Sequence, residues 1–179
     1  NPKEENMPNT IEQIEELLHP RSVAIVGLPR GFKTGKLFLM ALQDQQFPGP
    51  IYPVNPKTAE IDGLKSYPSV AAIPGPVDLA IVLVPSQHSL PVIQDCVQKG
   101  VKGAVLFTAG YSETHTQEGI DLESKVVSLA HSGNMRLVGP NGMGFYVPKS
   151  GLSFFPELSR KSGPVGMISH SGSLTNILG

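Results

Sequence analysis

The stretch SVAIVGLPRGFKTGKL at residues 22–37 constrains the fold more than any other. Small and β-branched apolar residues from Val23 to Val26 read as a strand buried on both faces, and the run stops at Gly27. A loop carrying Gly31 and Gly35 follows, after which Leu37, Phe38, Met40, Ala41 and Leu42 recur at helical spacing. Strand, glycine loop and helix together make a cradle for a phosphate. Glycine lets backbone approach a ligand closely, and the N–H groups and dipole of a helix N-terminus favour an anion. The plainer alternative is a glycine turn that only reverses the chain after a strand.

The glycine spacing excludes the commonest phosphate loops. Glycines at 27, 31 and 35 do not make the GxGxxG turn of a dinucleotide site. A Walker loop fails as well: the stretch from Gly31 to Lys36 is one residue short, and Leu37 has no hydroxyl for magnesium. Arg30, Lys33 and Lys36 gather around the loop, where they either meet phosphate or lie solvated on the helix start. Charge elsewhere is balanced, with 14 Lys and Arg against 15 Asp and Glu, so no basic footprint points to nucleic acid.

Residues 1–9 read as a loose polar tail, and Ile11, Ile14, Leu17 and Leu18 mark one face of a short helix that Pro20 ends. FPGP at 47–50 stops the next helix, and IYPVN forms a second strand. A turn-rich stretch leads to a third strand in DLAIVLVP. A helix over 89–99, a fourth strand in KGAVLFTAG, a helix over about 119–130 and a fifth strand in MRLVG complete the pattern. Strands alternating with helices predict an α/β Rossmann-like, doubly wound parallel sheet with right-handed crossovers. The pattern changes near Gly151: residues 151–163 read as a linker, VGMIS as a new buried strand and HSGSLTNILG as a helix start. The expected division is a tail and short helix over 1–18, a first domain over 19–150, the linker, and the opening of a second domain over 164–179.

Cys96 is the only cysteine among 179 residues, which leaves no disulfide framework and makes a reducing cytoplasm the expectation. It sits beside Val92 and Ile93 on an apolar helix face, as a buried and inert thiol would. No stretch approaches the roughly 20 apolar residues of a membrane span, and the start NPKEENMPN is unlike a signal peptide. The five histidines, His19, His88, His115, His131 and His170, do not pair with carboxylates or cysteine at metal-ligand spacing, so no metal site is expected. His170, flanked by Ser169 and Ser171, reads as a helix-start residue and not a nucleophile, and Glu113 as a solvated loop carboxylate.

In a doubly wound sheet, ligands bind outside the carboxyl ends of the strands. The second strand ends in Asn55, Pro56 and Lys57, where a dehydrogenase would carry an acid for the ribose of NAD. A lysine there suits an extra ribose phosphate, as in NADP or in a 3′-phosphorylated adenosine such as that of coenzyme A; a solvated turn lysine is the plain alternative.

Taken together, HPRSVAIVG, FPGPIYPVNPK, LKSYPSV, PVDLAIVLVP, GVKGAVLFTAG, RLVGPNGMG and GPVGMISHSGSL resemble the N-terminal part of the NDP-forming acyl-CoA synthetases. That family is similar to the α subunit of succinyl-CoA synthetase, and the resemblance runs from about His19 to the C-terminus. It implies a CoA-binding domain followed by a flavodoxin-like α/β ligase domain, of which residues 164–179 would be the truncated start. The implied reaction joins an acid to CoA at the expense of ATP or GTP through a phosphohistidine beyond Gly179, with nucleotide and magnesium bound by an ATP-grasp domain or β subunit. An oligomer is implied for the full protein. By resemblance, Gly27, Leu28, Pro29, Arg30, Gly31, Lys33, Thr34 and Gly35 would hold the CoA phosphates, and Lys57 would lie by the adenosine. Val84, Pro85, Ser86, Phe107, Thr108, Ala109 and Gly110 would line its path. Pro140 and Asn141 would lie near the thiol. Ser169, Ser171, Gly172 and Ser173 would receive the phosphohistidine loop.

Two departures point away from succinate: Gly142 stands where succinyl-CoA synthetases commonly have cysteine, and Asn176 where they have a succinate-contacting tyrosine. Acetate, branched acids and aromatic acids stay open. The rival readings are a non-catalytic CoA-binding module, such as the regulatory part of a protein acetyltransferase, and an NADP-dependent reductase.

Overall fold

A computed structural model of the chain describes residues 10–31 and 33–172. Strands β1 (Val23–Val26), β2 (Ile51–Val54), β5 (Leu79–Val82), β6 (Gly103–Leu106) and β7 (Arg136–Val138) form one parallel sheet in the order β2-β1-β5-β6-β7. Strands β3 (Glu60–Ile61) and β4 (Leu64–Lys65) form a separate antiparallel hairpin. Helices α1 (Thr10–Leu18), α2 (Lys36–Asp44), α3 (Ser89–Lys99) and α4 (Gln117–Ser132) complete the described elements longer than one turn. The direction in which successive strands are added reverses after β2, with β5 laid down on the other side of β1, so the switch point of the sheet lies between the carboxyl ends of β1 and β5.

Alternation within each strand builds two cores, because successive side chains leave a sheet on opposite faces. Ala24, Val26, Ala80, Val82, Ala104 and Leu106 pack with Ile93 and Cys96 of α3 and with Val126 and Ala130 of α4. Val23, Ile25, Leu79, Ile81 and Val105 pack on the other face with Leu17, Phe38, Leu39, Leu42, Leu152 and Phe154. The expected doubly wound sheet is therefore present, with both faces covered. Burial, and then the neighbouring Asp95, pushes the Cys96 thiol up to about 12, as suits an inert core sulfur.

Several local expectations change. Helix α1 buries Gln13 and Leu17, while Ile11 and Ile14 are 68% and 47% exposed. Gln13 goes inward because the amide is bonded: Nε2 donates to Asn134 Oδ1 at 2.9 Å, and Arg136 Nε donates to Gln13 Oε1 at 2.7 Å. Helix α4 starts two residues earlier than expected, since Thr116 Oγ1 caps it by accepting from Gly119 N at 3.2 Å. Within the expected linker, Leu152, Ser153 and Phe154 are buried, and Gln45 Nε2 donates to Leu158 O at 2.8 Å. The exposed stretch starts only at Ser159. The strand expected over VGMIS does not form: Val165 and Ile168 are 86% and 102% exposed, and among the described residues no strand lies beside them to complete a ladder.

Candidate functional site

The carboxyl ends of the sheet strands converge because each tip is bonded to its neighbour. Gly27 N donates to Val54 O at 2.8 Å, joining the tips of β1 and β2. Asn55 Nδ2 donates to Leu28 O at 2.9 Å, while Asn55 Oδ1 accepts from Lys57 N at 2.9 Å. Thr108 Oγ1 donates to Val84 O at 2.8 Å, and Asn141 N donates to Thr108 O at 3.2 Å, which links β5, β6 and β7 in turn. A Cβ on Gly27, whose φ is +86°, would stand 2.9 Å from Val84 Cγ1 and 3.1 Å from Val84 N. Glycine is required there both by the left-handed backbone and by the close approach of the β5 tip. A Cβ on Gly110 would meet Ser86 Oγ, and one on Gly139 would stand 2.5 Å from Leu106 O.

The loop after β1 is rich in donors. Arg30, Lys33 and Thr34 are exposed, and Gly35 caps α2 without a side-chain bond. Among the described residues, no protein acceptor takes the N–H groups of Arg30, Gly31, Lys33, Thr34 or Gly35. Backbone donors at a helix start beside two exposed cations fit a diphosphate.

Not every expected residue presents its side chain. Leu28 is fully buried and its carbonyl is occupied by Asn55, so it supports the loop without facing a ligand. Lys36 belongs to α2 and not to the loop; it is 7% exposed, and its Nζ lies 2.5 Å from Asp62 Oδ2. The Phe107 ring packs edge-on against Phe38, centroids 5.0 Å apart. Pro85, Ala109 and Asn141 are exposed, and Pro29, Val84, Ser86, Thr108, Gly110 and Pro140 are half-buried on the same row of tips. Lys57 is exposed at the tip of β2.

The segment with Ser169 and Ser171 also comes to this end of the sheet. A Cβ on Gly172 would stand 2.5 Å from Met143 Cγ, in the loop after β7. Ser169 Oγ accepts from Ser171 N at 3.0 Å, and His170 is exposed. Ser173 and Asn176 lie outside the described residues, as do residues 1–9.

Three residues gain roles that sequence reasoning did not assign. Asn55 clamps the β1 loop, and the signal was an Asn-Pro pair directly after a strand. Asp62 opens the Asp-Gly turn of the hairpin, with φ +50° followed by +76° at Gly63, a sequence that favours a two-residue hairpin. Glu113 is more than a solvated acid: Oε1 accepts from Gly110 N at 2.6 Å and Oε2 from Tyr111 N at 3.1 Å. Burial opposes its charge, but these backbone donors, Gly110 first, outweigh that and hold its pKa below the ordinary carboxylate value. Tyr111 is fully buried beneath the same loop, and burial pushes its phenol up, with the hydroxyls of Ser89 and Thr108 as polar neighbours.

No group of three or more potential metal ligands gathers among the described residues, and none of their helices is long and apolar enough to cross a membrane. His19 Nε2 lies 3.5 Å from Glu15 Oε2, one turn back on the surface of α1.

Residues 21–148 match the family described as the CoA binding domain. The chain is 37% identical over 172 residues to the ADP-forming acetate–CoA ligase II of Archaeoglobus fulgidus, covering 94% of this chain and 25% of that protein. It is 38% identical over 162 residues to the α subunit of the ADP-forming acetate–CoA ligase II of Pyrococcus furiosus, covering 90% of this chain and 35% of that subunit. Among solved structures, the acetyl-coenzyme A synthetase of Ca. Korarchaeum cryptofilum in complex with phosphate and ADP is similar, with a TM-score of 0.83 and 41% identity over 92% of this chain and 35% of that one. The chain thus spans between a quarter and about a third of the length of these relatives.

Proposed function

The chain belongs to the CoA binding domain family, and from that premise we propose that it is the coenzyme A-binding portion of an ADP-forming acyl-CoA ligase. The observation that carries the reading is the row of tips: free N–H groups and the exposed cations Arg30 and Lys33 on the β1 loop, with Lys57 on the adjoining β2 tip. This chain's own part is to bind and orient. The loop over 28–35 holds the diphosphate of CoA, Lys57 the 3′-phosphate, and the β5 and β6 tips direct the pantetheine arm along the row. Three strand spacings from β1 to β7 amount to about 14 Å, a span within reach of a pantetheine arm that starts at the diphosphate, which leaves the thiol near Pro140 and Asn141. The thiol of CoA supplies the acyl acceptor.

The whole protein, in this reading, couples a carboxylic acid to CoA in the cytoplasm, using ATP or GTP with magnesium on an ATP-grasp domain or β subunit. A phosphohistidine loop of the ligase domain docks at Ser169, Ser171, Gly172 and Ser173, which opens that domain. The proximity of Gly172 to Met143 supports this, because Gly172 then lies beside the loop that follows β7. The full protein is an oligomer by the same reading. Gly142 and Asn176 point away from succinate as the acid.

Calorimetric titration of this chain with CoA and with NADP tests the proposal: CoA binds, and NADP does not compete with it. Incubation with labelled ATP and magnesium leaves the chain unphosphorylated. Acid-labile phosphate on any of its five histidines would place the catalytic residue in this portion and overturn the division of labour.

A further inference from the structure

The loop that carries Arg30 and Lys33 is joined to the segment that carries Lys57 at both of its ends. At its start, Asn55 Nδ2 donates to Leu28 O at 2.9 Å. At its finish, Lys36, the first residue of α2, reaches the hairpin turn and places Nζ 2.5 Å from Asp62 Oδ2. The Lys36 side chain is only 8% exposed, and Nζ makes no hydrogen bond to another group among the described residues.

Between Asn55 and Asp62 the segment is itself held. Thr58 Oγ1 donates to Glu60 O at 2.9 Å, Ser66 N donates to Ala59 O at 2.8 Å, and Ile61 is buried against the core that contains Leu28 and Phe38. Two loops, 28–36 and 55–62, therefore form a closed frame, with exposed cations on each of its sides. Tied at both ends, the frame sets the separation of those cations; without the second tie the segment keeps its own bonds and the burial of Ile61, but no charged contact couples the hairpin turn to the end of the β1 loop.

We propose that the Lys36–Asp62 ion pair is the tie that makes this site discriminate CoA from its 3′-dephospho form, with Asp62 and Lys36 as positioning residues that touch no ligand. The proposal rests on the CoA reading above and adds to it the origin of phosphate selectivity. Lys57 contributes to binding only if its ammonium is held where the 3′-phosphate lies once the diphosphate is seated on 28–35. The ion pair supplies that constraint because a charge pair fixes one N···O contact, which an apolar contact of similar size does not.

The test uses CoA and dephospho-CoA titrated on the wild-type chain, on Asp62→Asn, and on the double variant Lys36→Met, Asp62→Asn, in which asparagine keeps the left-handed turn position. Asp62→Asn leaves a buried ammonium without its partner and risks the fold; the double variant removes both charges, an exchange buried pairs commonly tolerate. Wild type prefers CoA by about tenfold or more, the worth of one charge-assisted contact. Both variants keep wild-type affinity for dephospho-CoA, which needs only the β1 loop, and lose the preference for CoA. A general loss of stability would weaken both ligands alike and would leave the ratio unmoved. A wild-type preference that survives unchanged in the double variant overturns the tie and leaves the CoA site standing. No preference in the wild type overturns the role of Lys57, and the tie with it.

Discussion

The two ends of the parallel sheet offer opposite surfaces. At the amino end a cleft of about 220 Å³ opens between α1 and the ends of α3 and α4, lined by Glu12, Gln13, Glu16, Gly100, Lys102 and Asn134. At the carboxyl end the tips present backbone donors and the exposed cations Arg30, Lys33 and Lys57. The hollow lies at the wrong end for a polyphosphate. Two carboxylates against the one lysine, Lys102, together with the carbonyl ends of two helices, disfavour an anion there, while helix starts and cations attract one at the other end. The cleft lies at the amino end, whereas the groups that suit an anion lie at the carboxyl end.

Glycine substitutions break this contrast most severely. Gly27→Val forces a branched side chain into the β5 tip at a φ of +86°, with Val84 N only 3.1 Å from the new Cβ. It is expected to abolish measurable CoA binding and to lower the melting temperature. Gly100, at the amino-end cleft, has φ +77° but nothing within 4 Å of a Cβ. Gly100→Ala therefore costs only the left-handed backbone, about 1–2 kcal/mol, and leaves CoA affinity unchanged. Equal CoA affinity in the two variants, measured by calorimetry, would erase the distinction between the ends.

Charge reversal sharpens it with a smaller effect. Lys33→Glu places an anion among the loop donors and is expected to weaken CoA by roughly ten- to a hundredfold, the loss of one charge-assisted contact. Glu16→Lys adds a cation to the amino-end cleft and is expected to leave CoA affinity as it was. Tighter CoA binding in the second variant would mean that the cleft sees the ligand's charge. A weakened Lys33→Glu variant should also show a shallower dependence on salt, since screening acts on the contact that has been removed.

The fold was legible where burial on both faces made strands nearly all apolar, so that β1, β5 and β6 stood out without any pairing information. Helix α3 matched its expected bounds because Ser89 and the left-handed Gly100 punctuate it. Partners were not legible. Apolar spacing on α1 marks residues that would gain from burial, yet Gln13 is buried because Asn134 and Arg136, more than 120 positions away, satisfy it. In the site, the glycines and Lys57 could be placed on tips from the strand pattern. The pairing of Lys36 with Asp62 could not, since it depends on a hairpin of two-residue strands too short to show periodicity. The same limit hid Glu113, whose bonding partners are backbone groups that any sequence possesses.

Glu113 gives the smallest expected effect and the most direct view of how the carboxyl end tolerates an acid. Its carboxylate lies among the tips, yet it adds little repulsion because Gly110 N and Tyr111 N are turned toward it. Burial raises its pKa, and the N–H groups lower it by more, so the folded value lies below the ordinary 4.5. A depressed folded pKa means that the unfolded chain takes up the proton first as pH falls. The contribution to stability is thus fully present above 4.5 and is lost as pH drops through the lower folded value. Melting curves recorded from neutral pH down into the acid range should show a wild-type decline that Glu113→Gln partly lacks, since the amide carries no charge to neutralise. Because the group is exposed, solvent screens the effect, and CoA affinity at neutral pH should fall only slightly in the variant. Identical acid slopes in the two proteins would show that the bonds from Gly110 and Tyr111 do not hold the β6 tip, and that the loop keeps its shape through the buried Tyr111 instead.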